Sequence, residues 1–161
     1  MARRVTVALV AALCAAPVPL WAQRDVGPVR LALFGGARVS SPAASLAGLA
    51  GELELGGIWS LAAAATYVGV SGGSYARYEL DGRWHPSREG RLRPYLGVGL
   101  AIARSAAAVG GPSETHVGGL GFAGVDVPVF HTTPFIEVVG VETGSFFVEV
   151  RGGLRLLVFG R

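Results

Sequence analysis

This chain of 161 residues contains no lysine, a single cysteine and few charged side chains. All 14 of its basic residues are arginine, and charged residues make up 16% of the sequence, against roughly 25% in an ordinary soluble domain. Hydrophobic residues make up 51% of it. So little charge predicts a surface that is more apolar than that of a soluble protein.

The N-terminal segment has the three parts of a secretory signal peptide. Arg3 and Arg4 form a basic start, residues 5–16 form an apolar run, and Leu20-Trp21-Ala22 forms a cleavage box. We therefore predict a signal peptide at residues 1–22, with cleavage after Ala16 as the alternative.

The mature chain, residues 23–161, is then a single domain of roughly 140 residues. Cys14 is removed with the signal peptide, which excludes disulfide bonds, thiolate nucleophiles and zinc–thiolate sites. Loss of Arg3 and Arg4 lowers the formal charge from +3 to +1. A nearly neutral chain has no basic face for nucleic acid, so we exclude nucleic-acid binding.

No apolar run after the signal peptide is long enough for a transmembrane helix. The longest, Ile58 to Val70, is interrupted by Ser60 and Thr66, and a spanning helix needs roughly 18 to 20 apolar residues. An exported, apolar chain without such a helix is typical of a transmembrane β-barrel, since barrels and helices are the structures that span membranes.

Eight segments have the composition of β-strands and are bounded by glycine, proline or serine turns. The sixth segment has the weakest pattern, because four glycines interrupt its alternation. We predict strands at residues 29–39, 47–55, 58–70, 75–85, 94–103, 115–127, 135–141 and 146–159.

Several of these strands have one apolar and one charged face. Between Ala76 and Trp84, apolar and aromatic residues alternate with Arg77, Glu79, Asp81 and Arg83. Successive side chains of a strand point to opposite sides, so the strand separates two different environments. A membrane barrel turns its charged face inward, whereas a soluble barrel turns it outward.

The low total charge favours the membrane orientation, with an eight-stranded antiparallel up-and-down transmembrane barrel as the fold. The charged faces then meet in the lumen and form ion pairs, which buried charges require. We predict a lumen ion-pair network of Glu52, Glu54, Arg77, Glu79, Asp81, Arg83, Glu137, Glu149, Arg151 and Arg155.

Aromatic residues near the strand ends predict two girdles at the membrane interfaces. The height of each residue in its strand assigns it to one rim or the other. We predict one girdle of Trp59, Trp84, Tyr95, Phe135 and Phe159, and a second girdle of Tyr67, Tyr75, Tyr78 and Phe146.

Two short motifs resemble those of a known family. Arg93-Pro94-Tyr95-Leu96-Gly97-Val98-Gly99 resembles the Pro-Tyr-x-Gly-x-Gly strand start of small outer-membrane β-barrels, including the transmembrane domain of outer-membrane protein A. The amphipathic last strand with Phe159 is similar to the signal that the barrel-assembly machinery reads in that family, although Gly160 and Arg161 follow the aromatic here. The resemblance implies a monomer in the outer membrane of a Gram-negative-type bacterium, in contact with outer-membrane lipid.

An eight-stranded barrel is filled by its own side chains and is too narrow to act as a porin. Our leading hypothesis is therefore a non-enzymatic outer-membrane barrel with a structural or envelope-stabilising role and no cofactor. A soluble periplasmic, lipocalin-like binding barrel is one alternative.

The other alternative is a membrane-embedded hydrolase or acyltransferase that modifies lipid A. Its only candidate cluster is His131-Thr132-Thr133 with Glu137 or Glu142, and threonine stands where such enzymes have serine. His85 and His116 are single histidines without the spacing of metal ligands, so we predict no metal site and no catalytic residues.

Overall fold

A computed structural model describes residues 26–105 and 114–160 of the chain. The predicted signal peptide, with Cys14, lies outside the described residues. The elements are eight strands: β1 (Val26–Arg38), β2 (Ala44–Leu55), β3 (Trp59–Val70), β4 (Gly73–Trp84), β5 (Arg93–Ser105), β6 (Thr115–Asp126), β7 (Thr132–Glu142) and β8 (Phe146–Phe159). Within the described ranges no helix is long and apolar enough to cross a membrane.

The strands form one closed antiparallel barrel in chain order, with β8 paired to β1. This confirms the predicted fold. The pairing extends β1, β2 and β7 by up to three residues beyond the predicted bounds, because backbone hydrogen bonds continue where the apolar alternation stops. Closure matters because an open sheet would leave an edge of unpaired backbone groups.

The barrel has two ends, which we name for their connections. The terminal end holds residues 26 and 160 and the connections 56–58, 85–92 and 127–131. The distal end holds the connections 39–43, 71–72 and 143–145, together with residues 105 and 114. At the terminal end, Gly56 and Gly57 join β2 to β3 with φ angles of 59° and 69°. These positive angles are those of a tight hairpin turn that favours glycine.

The strict alternation of β4 divides the barrel into an apolar exterior and a charged interior. Leu80 on its outer face is 51% exposed, whereas Arg77 on its inner face is fully buried. The same division holds on β5, whose outward Val98 is 72% exposed and whose inward Ala101 is fully buried.

The inner face of β5 is nearly bare, and this makes room for side chains from other strands. A Cβ atom at Gly97 would overlap the ring of Phe122, and one at Gly99 would lie 2.7 Å from the Cβ of Asp81. The Phe122 ring packs edge-on against Tyr95 with their centroids 6.2 Å apart. Glycine in β5 thus allows a large aromatic cluster inside a narrow barrel.

Candidate functional site: the charged lumen

The interior of the barrel is filled with charged side chains from β2, β4, β7 and β8. All ten residues of the sequence-predicted network lie inside, with exposed fractions of 7% or less. Alternation explains this placement, since each set shares the inward parity of its strand. The contacts divide the lumen into a distal and a terminal cluster.

The distal cluster joins β4 to β8 across the whole lumen, since these strands are four apart in a ring of eight. Arg77 donates two hydrogen bonds to Glu149, from Nη1 to Oε1 at 2.8 Å and from Nη2 to Oε2 at 2.6 Å. Arg151 likewise donates to both oxygens of Glu79, at 2.8 and 2.9 Å. These two bidentate ion pairs fix the position of β4 relative to β8 on the opposite side of the lumen.

Each strand also carries an ion pair of its own within this cluster. Arg77 Nε lies 2.6 Å from Glu79 Oε1, and Arg151 Nη2 lies 3.0 Å from Glu149 Oε2. Every charged group of the four thus contacts both groups of opposite sign. Thr66 adds a hydroxyl hydrogen bond to Glu79 at 3.2 Å, so the buried carboxylate oxygens have several donors, as buried charges require.

The terminal cluster centres on Arg155 of β8. Its guanidinium lies 3.1 Å from Glu52 Oε2, pairs with Asp126 and donates to the Tyr95 hydroxyl at 3.1 Å. Arg83 lies 2.7 Å from Asp81 Oδ1 and donates to Glu52 at 3.5 Å. One arginine thereby links β2, β5, β6 and β8.

Sequence reasoning missed four charged members of the network, namely Arg30, Arg38, Arg88 and Asp126. Arg30 and Arg88 both pair with Glu54. Arg38 contacts the Tyr75 hydroxyl and lies 3.7 Å from Glu149. Arg38 and Asp126 are the last residues of β1 and β6, and Arg88 lies in a connection, where the alternation is weak. Arg30 lies inside β1 and, like Arg38 and Asp126, has the inward parity of its strand.

The ion-paired groups of the described lumen balance in sign. Seven arginines and seven carboxylates take part. They are Arg30, Arg38, Arg77, Arg83, Arg88, Arg151 and Arg155, with Glu52, Glu54, Glu79, Asp81, Asp126, Glu137 and Glu149. Because the numbers of positive and negative groups are equal, every buried charge can pair with a group of opposite sign.

His85 follows β4 and lies buried at the terminal mouth of the lumen. Its Nε2 atom is 3.2 Å from Ser60 Oγ and 3.8 Å from Glu52 Oε1. Burial, helped by the nearby guanidinium groups of Arg88, Arg155 and Arg83, lowers the pKa of His85 to about 4 against the opposing effect of Glu52. The imidazole is therefore neutral at neutral pH.

Three of the predicted girdle residues face the lumen instead of the lipid, so their assignment was wrong. Tyr95 donates to Glu137 at 2.9 Å, and Phe135 lies under the Arg155 guanidinium at 4.1 Å from its ring centre. Tyr75 contacts Arg38 inside the distal mouth. Each of the three has the same strand parity as a neighbouring inward residue. The position along the strand therefore predicted the end of the barrel at which the residue lies, but not whether its side chain faces the lumen or the lipid.

The other six predicted girdle residues point outward. Trp59, Trp84 and Phe159 lie at the terminal end and are 52%, 38% and 70% exposed. The remaining three lie in the distal half of the barrel: Tyr67, Tyr78 and Phe146, at 60%, 37% and 67%.

The residues of the alternative hydrolase cluster do not come together. Thr132 and Glu142 are the first and last residues of β7, at opposite ends of the barrel. Glu137 is buried against Tyr95, and the Thr132 hydroxyl donates to the Val129 carbonyl. In the described part of the chain, no group of three or more His, Cys, Asp or Glu side chains is placed to hold a metal ion.

Comparison with known proteins shows similarity in fold only. No protein-family model and no curated protein sequence matches the chain. Solved structures do match it. The N-terminal β-barrel domain of Pseudomonas aeruginosa OprF is 16% identical over 83% of this chain and 98% of its own, with a TM-score of 0.70.

Neisserial surface protein A is 14% identical over 81% of this chain and 96% of its own, with a TM-score of 0.67. The Yersinia pestis outer membrane protein Ail is 11% identical over 82% of this chain and 99% of its own, with a TM-score of 0.56. The chain therefore has the fold of the small eight-stranded outer-membrane β-barrels.

Proposed function

We propose that this protein is a non-enzymatic outer-membrane barrel whose lumen is closed by ion pairs and whose role is to stabilise the cell envelope. The observation that carries the proposal is the division of β2, β4, β7 and β8 into a face with buried charged side chains and an exposed, mainly apolar face. In water the opposite arrangement would be the stable one.

The exterior supports a membrane location. Leu33, Leu80 and Leu100 are each at least half exposed, and such side chains gain free energy when lipid replaces water around them. Five of the six outward aromatic residues lie near strand ends, in positions suited to the two interfacial girdles, where amphipathic rings are favoured. Tyr78 is the exception, since it lies in the middle of β4.

The interior supports a barrel that does not conduct. The pairs Arg77–Glu149 and Arg151–Glu79 cross the lumen at hydrogen-bond distance, and the terminal cluster lies beneath them. The interior of an eight-stranded barrel is only wide enough to hold its own side chains. A porin-like role is therefore disfavoured.

The experiment is to express the full chain, fractionate the cells and test its gel mobility with and without boiling. We expect the protein in the outer-membrane fraction, released only by detergent, with a mobility that heating changes. A protein that is soluble in the periplasm and runs identically after boiling would contradict the proposal and favour the lipocalin-like alternative.

The closed lumen is tested separately in planar lipid bilayers. We expect no stable conductance from the wild-type protein. A control in which Arg77, Glu79, Glu149 and Arg151 are all serine removes the distal cluster and should conduct more than wild type. Steady porin-like conductance from the wild-type barrel would overturn the closed lumen.

A further inference from the structure

The hairpin of β6 and β7 continues beyond the two strands to a tip at the terminal end of the barrel. The last residue pair of the two strands is Asp126 with Phe135. Beyond it the register is unchanged, and Val129 and Thr132 close the hairpin with two reciprocal backbone hydrogen bonds of 2.8 and 3.0 Å. The connection 127–131 is therefore a regular extension of the barrel wall that ends in a two-residue turn.

This turn has a phenylalanine at a position that favours glycine. Phe130 has a φ angle of 55°, and among the described residues it is the one residue other than glycine with a positive φ. A bulky side chain is disfavoured there, and two-residue hairpin turns usually have glycine at such positions. The chain follows that preference elsewhere at the same end of the barrel, where Gly56 and Gly57 form the turn between β2 and β3.

The ring of Phe130 is also completely exposed. The residue thus combines a disfavoured backbone conformation with the loss of apolar contact, although burial of a phenylalanine is among the larger stabilising contributions that a side chain can make. Neither the turn nor the packing of the barrel uses the ring. Any apolar environment that covers it therefore lowers the free energy of the folded protein.

The surface that leads to Phe130 is a continuation of the outer face of the barrel. Val127 and Val129 have the same parity as the outward Ala123, and both are exposed. The register between β5 and β6 places the exposed Leu92 next to Val127. An apolar surface therefore runs without a break from the wall that we propose to face lipid to the tip of the hairpin.

No ionised side chain of the connection 127–131 interrupts this surface. The sequence of the connection is Val-Pro-Val-Phe-His, without Arg, Asp or Glu. The neighbouring connection 85–92 at the same end of the barrel carries Arg88, Glu89 and Arg91. The two connections thus suit different environments, since charged side chains favour water and apolar ones favour its absence.

The height of the tip places it at the headgroup layer of a bilayer. The pairs Trp84–Leu96 and Leu96–Ala123 lead from β4 to β6. At a strand tilt of about 40°, these two steps offset the three residues from Ala123 to Asp126, so Asp126 lies at about the height of Trp84. Val129 lies about 8 Å further along the barrel axis. The headgroup layer begins near girdle tryptophans and is roughly 5–7 Å thick, so the tip lies within a side chain's length of it.

We propose that this hairpin tip is a membrane anchor, with the ring of Phe130 and the side chain of Val129 inserted among the lipid headgroups and the first carbons of the acyl chains. The inference rests on the proposed membrane location. Lipid is favoured over a protein partner, because the surface is continuous with the lipid-facing wall and lies at the height of the headgroups. Such an anchor sets the depth and tilt of β6 and β7 in the bilayer.

Depth-dependent fluorescence quenching tests the anchor. The full chain with Trp21→Phe, Trp59→Phe and Trp84→Phe contains no tryptophan, and Phe130→Trp then adds a single probe at the tip. The protein is folded into phosphatidylcholine vesicles with bromine near the carbonyl end or near the methyl end of the acyl chains, and iodide is the quencher in water. Glu89→Trp in the same background is the control, because it places the same probe in the charged connection of the same barrel end.

We expect the probe at position 130 to be quenched more by bromine near the carbonyl end than by bromine near the methyl end. Its quenching constant for iodide should be about threefold lower than that of the probe at position 89, because the headgroup layer shields it from water. Equal iodide quenching at the two positions, without bromine quenching at position 130, would show that the tip lies in water and would overturn the anchor. Shielding of position 130 from both quenchers would show that a second copy covers the tip, and would overturn it as well.

A second variant tests the ring itself. Phe130→Asn removes the ring and keeps the turn, since asparagine accepts a positive φ. With Cys14→Ser, a spin label at Thr132→Cys reports the exposure of the outer face of the hairpin to a water-soluble nickel complex. We expect Phe130→Asn to raise the collision rate about threefold, because the hairpin leaves the headgroup layer. Phe159→Asn, which removes another exposed ring at the same barrel end, is the matched control and should not change the rate. An unchanged rate in Phe130→Asn would overturn the anchor.

The anchor and the membrane location fail in distinguishable ways. In the chain with Trp21→Phe and Trp59→Phe, Trp84 is the only tryptophan and reports on the outer wall of β4. Bromine quenching of Trp84 without quenching of the probe at position 130 would overturn the anchor and leave the membrane location standing. No bromine quenching at either position would overturn both.

Discussion

Arg77 of β4 and Glu149 of β8 form a bidentate ion pair across the barrel, with both side chains fully buried. Arg151 and Glu79 repeat this pairing in the opposite direction. The motif Arg-x-Glu on one strand thus meets Glu-x-Arg on the strand opposite, so that two short sequence patterns complete each other through the lumen.

Removing one partner of this pair should destabilise the barrel strongly. Arg77→Ala leaves Glu149 buried with fewer donors, and the loss of one member of a buried pair costs about 3–5 kcal/mol. The double variant Arg77→Met with Glu149→Leu should cost less than the sum of its two single variants. Urea unfolding in lipid vesicles measures each change, and single losses below about 1 kcal/mol would mean that the pair is solvated.

Acid should destabilise the terminal mouth through His85. Its pKa is about 4 in the folded barrel and about 6.5 in an unfolded chain, so the unfolded state binds more protons between these values. Stability therefore rises with pH across this window and is lost as the pH falls from about 6.5 to about 4.

The variant His85→Gln isolates this contribution, because it keeps a polar side chain that cannot titrate. The free energy of unfolding is measured against pH for both proteins. We expect the wild-type curve to fall more steeply than the variant curve below about pH 6.5. Parallel curves would show that Glu52 and the other lumen carboxylates, and not His85, dominate the acid response.

Gly97 should be intolerant of even a methyl group. A Cβ atom there would overlap the Phe122 ring and lie 2.8 Å from the Gly82 carbonyl oxygen, and overpacking typically costs about 1–3 kcal/mol. Gly82→Ala is the matched control, since a Cβ at Gly82 meets open space. Equal unfolding free energies for Gly97→Ala and Gly82→Ala would show that Phe122 does not occupy this position.

Phe159 should matter for assembly in cells more than for stability. It is 70% exposed at the end of β8, and the last strand resembles an assembly signal. We expect Phe159→Ala to lower the amount of barrel in the outer membrane while folding in synthetic vesicles stays near normal. Phe146→Ala, at the other end of β8 and 67% exposed, is the control and should assemble normally.

Alternation predicted the fold and the inward face of most charged residues. Arg77 and Glu79 could be assigned to one face of β4 from the sequence, since the side-chain period of a strand is two. Their partners could not, because pairing across a lumen depends on register and stagger around the whole barrel. Arg77 therefore could not be matched to Glu149 from the sequence.

The position of an aromatic residue along its strand did not predict whether its side chain faces the lumen or the lipid. Tyr95 shares its parity with Gly97, and Phe135 shares its parity with Glu137, so both belong to the inner face. The nearly bare inner face of β5 also hinted that large side chains would fill it. Parity would have separated the lumen aromatics from the lipid-facing ones at every girdle position except Phe159. That residue shares the parity of the inward Arg155 but lies beyond a register shift between β1 and β8.

The outer faces of β4 and β5 offer the most direct test of whether the barrel lies in a membrane. In a protein whose only native cysteine is removed by Cys14→Ser, single spin labels can be attached at Leu80→Cys and Val98→Cys on the outer face. A third label is attached at Glu89→Cys in the connection 85–92. Collision rates with oxygen, which concentrates in lipid, and with a water-soluble nickel complex are then measured in vesicles. We predict that the labels at positions 80 and 98 collide mainly with oxygen and that the label at position 89 collides mainly with the nickel complex. Nickel access at 80 and 98 equal to that at 89 would show that the apolar face lies in water, and would contradict the membrane barrel.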